Sequence, residues 1–343
     1  MSATAYIHDT WEPAGFSMGS ESRTATGATF PATLVAGSAS RSLAAMVERE
    51  LDCRFAAAAI ERFPDGEVSV RLDAPVRGQQ VLLLAATAPP VNDHLVELLA
   101  LADAARRADA ARIVALVPYF GYARSDRRDG RRTPIMASLV AELAERAGID
   151  HVVTVDVHTP AVEGFFRIPV DNLTAIPALA AALAARAANA AGSAVIVAPD
   201  LGAVRLANRY ATELELPVAV CHKRRLGGAE VSVARITGDV AGRGCIIVDD
   251  MISTGATIVE SVRALNAAGA LTQFTVAATH AVLVPGALER VADAGVRELF
   301  VTDSIEPRSD EAARIKPTVV SIGPMLATAI RRLFDGGSLR ELA

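Results

Sequence analysis

One feature constrains this chain more than any other: an alternation of two textures that begins at Ala32 and persists almost to the last residue. Short β-branched or aliphatic runs alternate with longer stretches of Ala, Leu, Arg and Glu whose apolar residues recur at the helical period. The spacing predicts strands over 81–85, 112–117, 151–156, 194–198, 218–221, 244–248, 274–279 and 299–301. It predicts helices over 41–51, 93–108, 133–147, 176–190, 204–214, 256–268 and 285–294. Continuously apolar strands separated by amphipathic helices imply parallel sheets covered on both faces, an α/β fold. The chain has 343 residues, and single cores stop growing near about 250–300 residues, so two units are expected. An internal echo agrees. LVPYFGYARSD and IVAPDLGAVRLA both read as strand, Pro, Gly-containing turn and Arg, while TVDVHT and IVDDMISTG both end a strand in an acidic turn. The boundary is placed near Pro177, giving units at 32–177 and 178–320, with 321–335 a candidate to pack back onto the first. Residues 1–31 are rich in Ser, Thr, Gly and Ala without periodicity and read as a flexible N-terminal extension.

Composition narrows the function classes. The mean hydropathy is +0.31, yet the longest apolar stretches are Ala-dominated and broken by Arg or Pro, as in 173–185 before Arg186. None approaches the roughly 18 apolar residues that a bilayer requires. The net charge of -5, without a basic block, argues against bulk capture of nucleic acid. Three cysteines (Cys53, Cys221, Cys245) show no metal-ligand spacing and fit thiols in a reducing compartment. No basic region followed by an apolar core opens the chain. A cytoplasmic protein with neither membrane nor nucleic-acid partner is expected. Of the 34 basic residues only Lys223 and Lys316 are lysines. Arg is therefore background here, and a Lys carries more information.

The segment Ile246-Ile247-Val248-Asp249-Asp250-Met251-Ile252-Ser253-Thr254-Gly255-Ala256-Thr257 is the most informative. A buried strand ends in two acids, and a turn of small residues then opens a helix. Ligands of parallel sheets bind at such strand ends. Ser253, Thr254, Gly255 and Thr257 offer amides and hydroxyls at a helix N-terminus, which is an anion site. Asp249 and Asp250 have the wrong sign for phosphate and suit sugar hydroxyls or a cation beside it. A sugar phosphate satisfies both halves; a merely capped helix after a strand is the alternative. Four further segments carry chemistry. Phe63-Pro64-Asp65-Gly66-Glu67 reads locally as a hairpin turn with exposed acids. Pro118-Tyr119-Phe120-Gly121-Tyr122-Ala123-Arg124-Ser125-Asp126-Arg127-Arg128 gathers three Arg beside aromatics, and guanidinium groups stack on bases and bind phosphate in bidentate fashion. Val155-Asp156-Val157-His158 ends another strand. His222-Lys223-Arg224-Arg225-Leu226-Gly227-Gly228 carries a short strand into a Gly-containing segment, a candidate mobile flap.

VDDMISTGAT resembles the ribose-5-phosphate loop of phosphoribosyl diphosphate (PRPP) synthetases and of the related phosphoribosyltransferases. The four further segments, collinear over about 35–333, resemble the ribose-phosphate pyrophosphokinase family. The resemblance implies two phosphoribosyltransferase-like domains, each a mainly parallel sheet flanked by helices. It implies an ATP-binding transferase of nucleotide biosynthesis that makes PRPP and AMP from ATP and ribose 5-phosphate. Residue by residue it implies catalytic roles for Lys223 and Arg225, with Arg225 also touching substrate. Phe63, Asp65 and Glu67 would hold adenine from a neighbouring subunit, and Arg124, Ser125, Arg127 and His158 would meet the ATP base and phosphates. Asp249, Asp250, Ser253, Thr254, Gly255, Ala256 and Thr257 would bind ribose 5-phosphate, and His158 with Asp200 would anchor Mg2+. The trans contact implies a homo-oligomer, a hexamer built from dimers. Ser125 stands where common bacterial members carry Gln. Two rivals stay open: a non-catalytic regulatory paralogue, disfavoured by the presence of the flap and metal residues, and a phosphoribosyltransferase, which needs neither FPDGE nor ARSDRR.

Overall fold

The computed structural model describes residues 32–128, 130, 132–189, 194–227, 230–306 and 313–343, with 185–189, 223–227 and 230–234 described as backbone only. The proposed extension 1–31 lies outside the described residues. The first unit runs β1 (Ala32–Ala36), α1 (Arg41–Leu51), β2 (Ala58–Arg62), β3 (Val68–Leu72), β4 (Gln80–Leu84), α2 (Val91–Arg107), β5 (Arg112–Val117), α3 (Met136–Ala147), β6 (His151–Val155), β7 (Val170–Leu173) and α4 (Ile176–Asn189). The second runs β8 (Ala194–Ala198), α5 (Val204–Leu214), β9 (Val218–Gly227), β10 (Glu230–Thr237), β11 (Gly244–Ile252), α6 (Ala256–Ala267), β12 (Phe274–Ala281), α7 (Ala287–Ala294), β13 (Val296–Thr302), β14 (Thr318–Val320) and α8 (Gly323–Asp335).

Two mainly parallel sheets result. The first has the order β1-β4-β5-β6-β7 and is parallel throughout. The second has the order β10-β9-β8-β11-β12-β13-β14, with only the β9–β10 pairing antiparallel. β2 and β3 form a separate antiparallel hairpin.

The period of two within each strand explains why both faces must be apolar. In the first sheet Leu82, Leu84, Val114 and Leu116 face one core, while Val81, Leu83, Ile113 and Ala115 face another under α2 and α3. In the second sheet Ile196, Ile246 and Val248 enter the same core as Leu82 and Leu116, whereas Val195, Val197 and Ile247 pack toward α6 and α7. The two units thus share one apolar layer made with α1, α4, α5 and α8. In α1, Leu43, Ala44, Val47 and Leu51 recur at three- and four-residue intervals and are all buried. α8 returns along α1 so closely that a Cβ on Gly323 would stand 2.8 Å from Cβ of Met46.

Each strand and helix expected from the texture is present, with shifted ends. α3 starts at Met136 rather than at 133, as the αR region is disfavoured before Pro134. α7 starts after Gly286, whose φ of 78° is not helical. β9 is the larger correction: it does not stop at Cys221 but continues to Gly227, so Lys223 and Arg225 belong to a β-hairpin arm with Val233 and Val231 as register partners. Gly228 lies outside the described residues. β1, β7, β10 and β14 were not anticipated. The polar VDNL of β7 and the three-residue β14 sit at sheet edges, where hydrophobic patterning is weak. Among the described residues no helix is long and apolar enough to cross a membrane.

The cysteines are buried in these cores. Burial pushes the Cys53 thiol up to about 11 and the Cys245 thiol up to about 12. The folded protein is therefore expected to leave all three thiols unreactive toward an aromatic disulfide reagent at pH 8 over minutes, and the denatured chain to titrate three. Rapid modification of the native protein would contradict this placement.

Candidate active site

Parallel sheets expose ligand sites at the carboxyl ends of their strands, most of all where neighbouring strands lead off in opposite directions. In the second sheet that switch falls between β8 and β11, since β8 continues to β9 on one side and β11 to β12 on the other. Asp200 follows β8 by two residues, and Asp249 and Asp250 lie near the end of β11. The strand does not stop at these acids, as the sequence suggested, but runs on to Ile252 before the turn. Gly255 then adopts φ 77°, and a Cβ there would meet Cγ1 of Val291 at 2.7 Å, so the turn accepts only glycine. The helix N-cap is Gly255 itself, without a side-chain cap bond. The turn is braced from beneath: Arg290 of α7 donates to the Thr254 carbonyl, and the Val284 amide donates to the Ser253 carbonyl at 3.1 Å.

The first sheet supplies the opposite wall. β6 ends at Val155, and Asp156 turns the chain with φ 38°, so that His158 projects across to the second unit. Nδ1–H of His158 donates to Oδ2 of Asp250 at 2.7 Å. The Val157 amide donates to Oδ1 of Asn172 at 3.1 Å, which steadies the same turn. After β5, Arg124, Asp126 and Arg127 approach from the side. Together these groups line one cleft of about 530 Å³ that also takes in Asp200, Asp249, Asp250 and the loop Ser253, Thr254, Gly255, Ala256 and Thr257. Arg124 is shared with a neighbouring cavity of about 740 Å³ walled by Pro90, Asn92, Tyr119, Tyr122 and Ser125.

The electrostatics follow from burial and sign. The hydrogen bond that His158 donates to Asp250, together with the negative charge of that carboxylate, raises the His158 pKa despite partial desolvation. Burial alone would raise Asp250, but the His158 hydrogen bond and charge outweigh it and hold Asp250 below the ordinary carboxylate range. Asp249 is driven the other way, well above that range, by burial first and by the adjacent Asp250 charge second.

Not every anticipated residue arrives here. Ser125 lines only the second cavity, and its hydroxyl accepts from the Met136 amide at 3.3 Å at the start of α3. Phe63, Asp65 and Glu67 line neither cavity; they form the β2–β3 turn, closed by Phe63 N–H to the Glu67 carbonyl at 2.8 Å, with Phe63 49% exposed. The side chains of Lys223 and Arg225 lie outside the described residues. Conversely, Asn172, Arg205 and Arg209 line the cleft unanticipated. The two arginines occupy positions four apart on α5, a signal hidden by the Arg-rich background.

Among the described residues no group of three His, Cys, Asp or Glu side chains could hold a metal alone. Asp200 turns Oδ1 toward the Gly202 and Ala203 amides at 2.9 and 3.2 Å, which caps the approach to α5. The donor set on offer, one or two carboxylates and an imidazole beside an anion loop, suits an ion that takes the rest of its shell from substrate phosphates and water.

Two family models match in tandem: the N-terminal domain of ribose phosphate pyrophosphokinase over residues 32–148 and a phosphoribosyl transferase domain over residues 169–307. The ribose-phosphate pyrophosphokinase of Maricaulis maris is 43% identical over 309 residues, 90% of this chain and 99% of that protein. The chain belongs to the ribose-phosphate pyrophosphokinase family. The relative of the same name from Mesorhizobium japonicum is 42% identical over 309 residues, again 90% of this chain and 99% of the relative. The crystal structure of phosphoribosylpyrophosphate synthetase from Mycobacterium smegmatis superposes with a TM-score of 0.82 at 39% identity, covering 90% of this chain and 100% of that one. The tandem match spans both sheets, and the cleft is built from the strand ends of each.

The His158–Asp250 pair joins the two units, and its pKa directions set a stability window. A raised imidazole contributes fully below its ordinary 6.5 and loses that contribution as pH rises through the raised value. A lowered carboxylate contributes above its ordinary 3.8 and loses it as pH falls. In melts without metal or nucleotide, the wild-type Tm should exceed that of H158Q most between those values, and the gap should shrink as the pH rises through the raised imidazole value. With the imidazole 39% exposed, the margin should be small, about 0.5 kcal/mol. A gap that widens above neutrality would contradict the assignment.

Proposed function

We propose that the cleft between the two sheets performs the family reaction, ATP + ribose 5-phosphate → PRPP + AMP. The observation that carries the reading is that one cleft collects Arg124, Arg127 and His158 from the first sheet with Asp200, the Asp249–Asp250 pair and the 253–257 loop from the second. The Ser253, Thr254, Gly255, Ala256 and Thr257 loop takes the 5-phosphate at the N-terminus of α6, where amides and hydroxyls favour an anion. Asp249 and Asp250 accept hydrogen bonds from the ribose hydroxyls and so aim the anomeric O1. Arg124 and Arg127 hold the ATP phosphates, while the aromatic-walled cavity beyond Arg124 takes the base. Ser125 contributes little there, because its hydroxyl serves α3.

O1 attacks the β-phosphorus in line; its bond to phosphorus forms as the bond from that phosphorus to the α-phosphate bridging oxygen breaks and AMP leaves. Little covalent help is required, so the protein supplies position and positive charge. Lys223 and Arg225 of the β9 arm supply that charge on the developing transition state, and Arg225 also meets substrate. Mg2+ takes carboxylates and phosphate oxygens and keeps several waters, which fits the sparse donor set here. Asp200 and His158 would hold it, and it would neutralise the triphosphate and make O1 more acidic.

Phe63, Asp65 and Glu67 stand away from both cavities of their own chain. In this reading they complete the adenine site of a neighbour, in a cytoplasmic homo-oligomer, a hexamer built from dimers. Mixing a Phe63→Ala chain with a Lys223→Ala chain under subunit exchange should then restore activity that neither shows alone. Mixtures no better than their parts would exclude the trans site.

The deciding assay is incubation with ATP, Mg2+ and ribose 5-phosphate and detection of AMP. PRPP-dependent use of a free base without AMP formation would mark a phosphoribosyltransferase, and inactivity alone with activation of a partner synthetase would mark a regulatory paralogue. Lys223→Ala should lower kcat by about 100- to 1000-fold, the cost of one transition-state contact, while ribose 5-phosphate binding changes little. Comparable losses in both would remove Lys223 from its assigned role.

A further inference from the structure

From Asp156, which lines the back of the cleft, runs a buried polar seam that the reaction as described does not use. The Asp156 carboxylate is 9% exposed and accepts three hydrogen bonds. Oδ1 receives the Thr174 hydroxyl at 2.7 Å, and Oδ2 receives the Ala175 amide at 2.9 Å. The third donor comes from the other sheet: the Thr279 hydroxyl of β12 reaches Oδ2 at 2.7 Å. The next residue, His280, completes the crossing. Its Nε2–H donates to the carbonyls of Val155 at 3.1 Å and Asp156 at 3.3 Å, while Nδ1 accepts from the Ser304 hydroxyl at 2.9 Å. The Tyr119 ring stands edge-on to it at 5.1 Å between centroids. Thr279 and His280 are 0% and 2% exposed, so every one of these groups has left water and depends on its partners.

The location is what matters. Asp156 is the residue at which the chain leaves β6 and turns toward His158, and its φ of 38° is one that few residues other than glycine adopt. Thr279 and His280 lie on β12, which pairs with β11; Asp249 faces Ala278 and Met251 faces His280 in register. The seam therefore ties the strand end that carries His158 to the strand beside the one that carries Asp249 and Asp250. We propose that Asp156, Thr279 and His280 are positioning residues for diphosphoryl transfer, a clamp that fixes the nucleotide half of the cleft against the ribose half. This rests on the assignment of ATP to the first sheet and ribose 5-phosphate to the second. Each half then binds its own substrate without the clamp, and only the alignment of O1 with the β-phosphorus needs it. Misplacement of reacting groups by about 1 Å costs on the order of 100-fold in rate.

The test is a set of single variants with kcat and two binding constants measured on each. Thr279→Val removes the crossing hydroxyl and keeps the shape. It should lower kcat by about 10- to 100-fold while leaving the Kd values for ribose 5-phosphate and a non-hydrolysable ATP analogue within about twofold. Thr279→Ser restores the hydroxyl and should recover most of the rate. Thr174→Val deprives the same carboxylate of an equally buried hydroxyl from its own unit and should lower kcat far less. Should Thr279→Val not fold, Thr279→Ala removes the same hydroxyl without crowding the carboxylate. A folded Thr279 variant with wild-type kcat, an equal loss in Thr174→Val, or a loss of binding in step with kcat would overturn the clamp. Absence of AMP formation by the unmodified chain would instead sink the reading on which the clamp rests, and its catalytic role with it.

Discussion

The whole arrangement depends on one shared apolar layer. Each sheet buries one face under helices of its own, and turns the other toward a common layer made with α1, α4, α5 and α8. A parallel sheet has little choice, because strands apolar on both faces must be covered on both faces. When two such sheets share a layer, their relative placement is set by side-chain packing at close to crystal density rather than by a flexible connection. The carboxyl ends of β5 and β6 can then stand at a fixed separation from those of β8 and β11. Packing sets that separation only coarsely. The polar seam adds direction to it, since a carboxylate with three defined donors accepts few alternative poses, whereas a Leu–Ile contact accepts many.

How much of this was legible beforehand differed by type of signal. The strands and helices were readable because α/β units repeat two unlike periods, and eight strands of that kind leave little doubt about class. The loop from Asp249 to Thr257 was readable because the charge pattern is chemically odd: acids beside an anion site make sense for few ligands. The reach of β9 was not readable. HKRR has no apolar alternation, and its extended form comes from antiparallel pairing with β10, a tertiary effect. The cleft-facing Arg205 and Arg209 were invisible for a compositional reason, since 32 of the 34 basic residues are Arg. Asp156 was visible only as an acid next to His158. Its use as an anchor depends on Thr174 and Thr279, 18 and 123 residues away, and no local pattern reports such distances.

Ser125 illustrates how a short polar side chain at the wall of a cavity can serve the scaffold. Its hydroxyl accepts from the Met136 amide, and its carbonyl accepts from the Ala137 amide at 3.1 Å. A helix start leaves orphan amides that something must satisfy. Here Ser125 supplies both acceptors, which fixes the turn that carries Arg124 to the start of α3. A short side chain at position 125 is suited to this, whereas a longer one would carry its polar end past the helix terminus and into the cavity.

The charge balance at the head of β11 resolves an apparent conflict in the site. Two adjacent carboxylates beside a loop proposed to hold a phosphate should repel a dianion placed there. Burial and the proximity of Asp250 hold Asp249 well above the ordinary carboxylate range, while His158 stabilises the charge on Asp250. The charge on Asp250 is turned toward an imidazole from the opposite unit. The same geometry makes the field of the loop depend on the closure of the two units. If His158 were withdrawn, Asp250 would lose its counter-charge, and the loop would face a less screened carboxylate. Alignment of the units and the electrostatics of the acid pair thus meet in one 2.7 Å hydrogen bond, through which the first sheet's turn places an imidazole on the carboxylate at the end of β11.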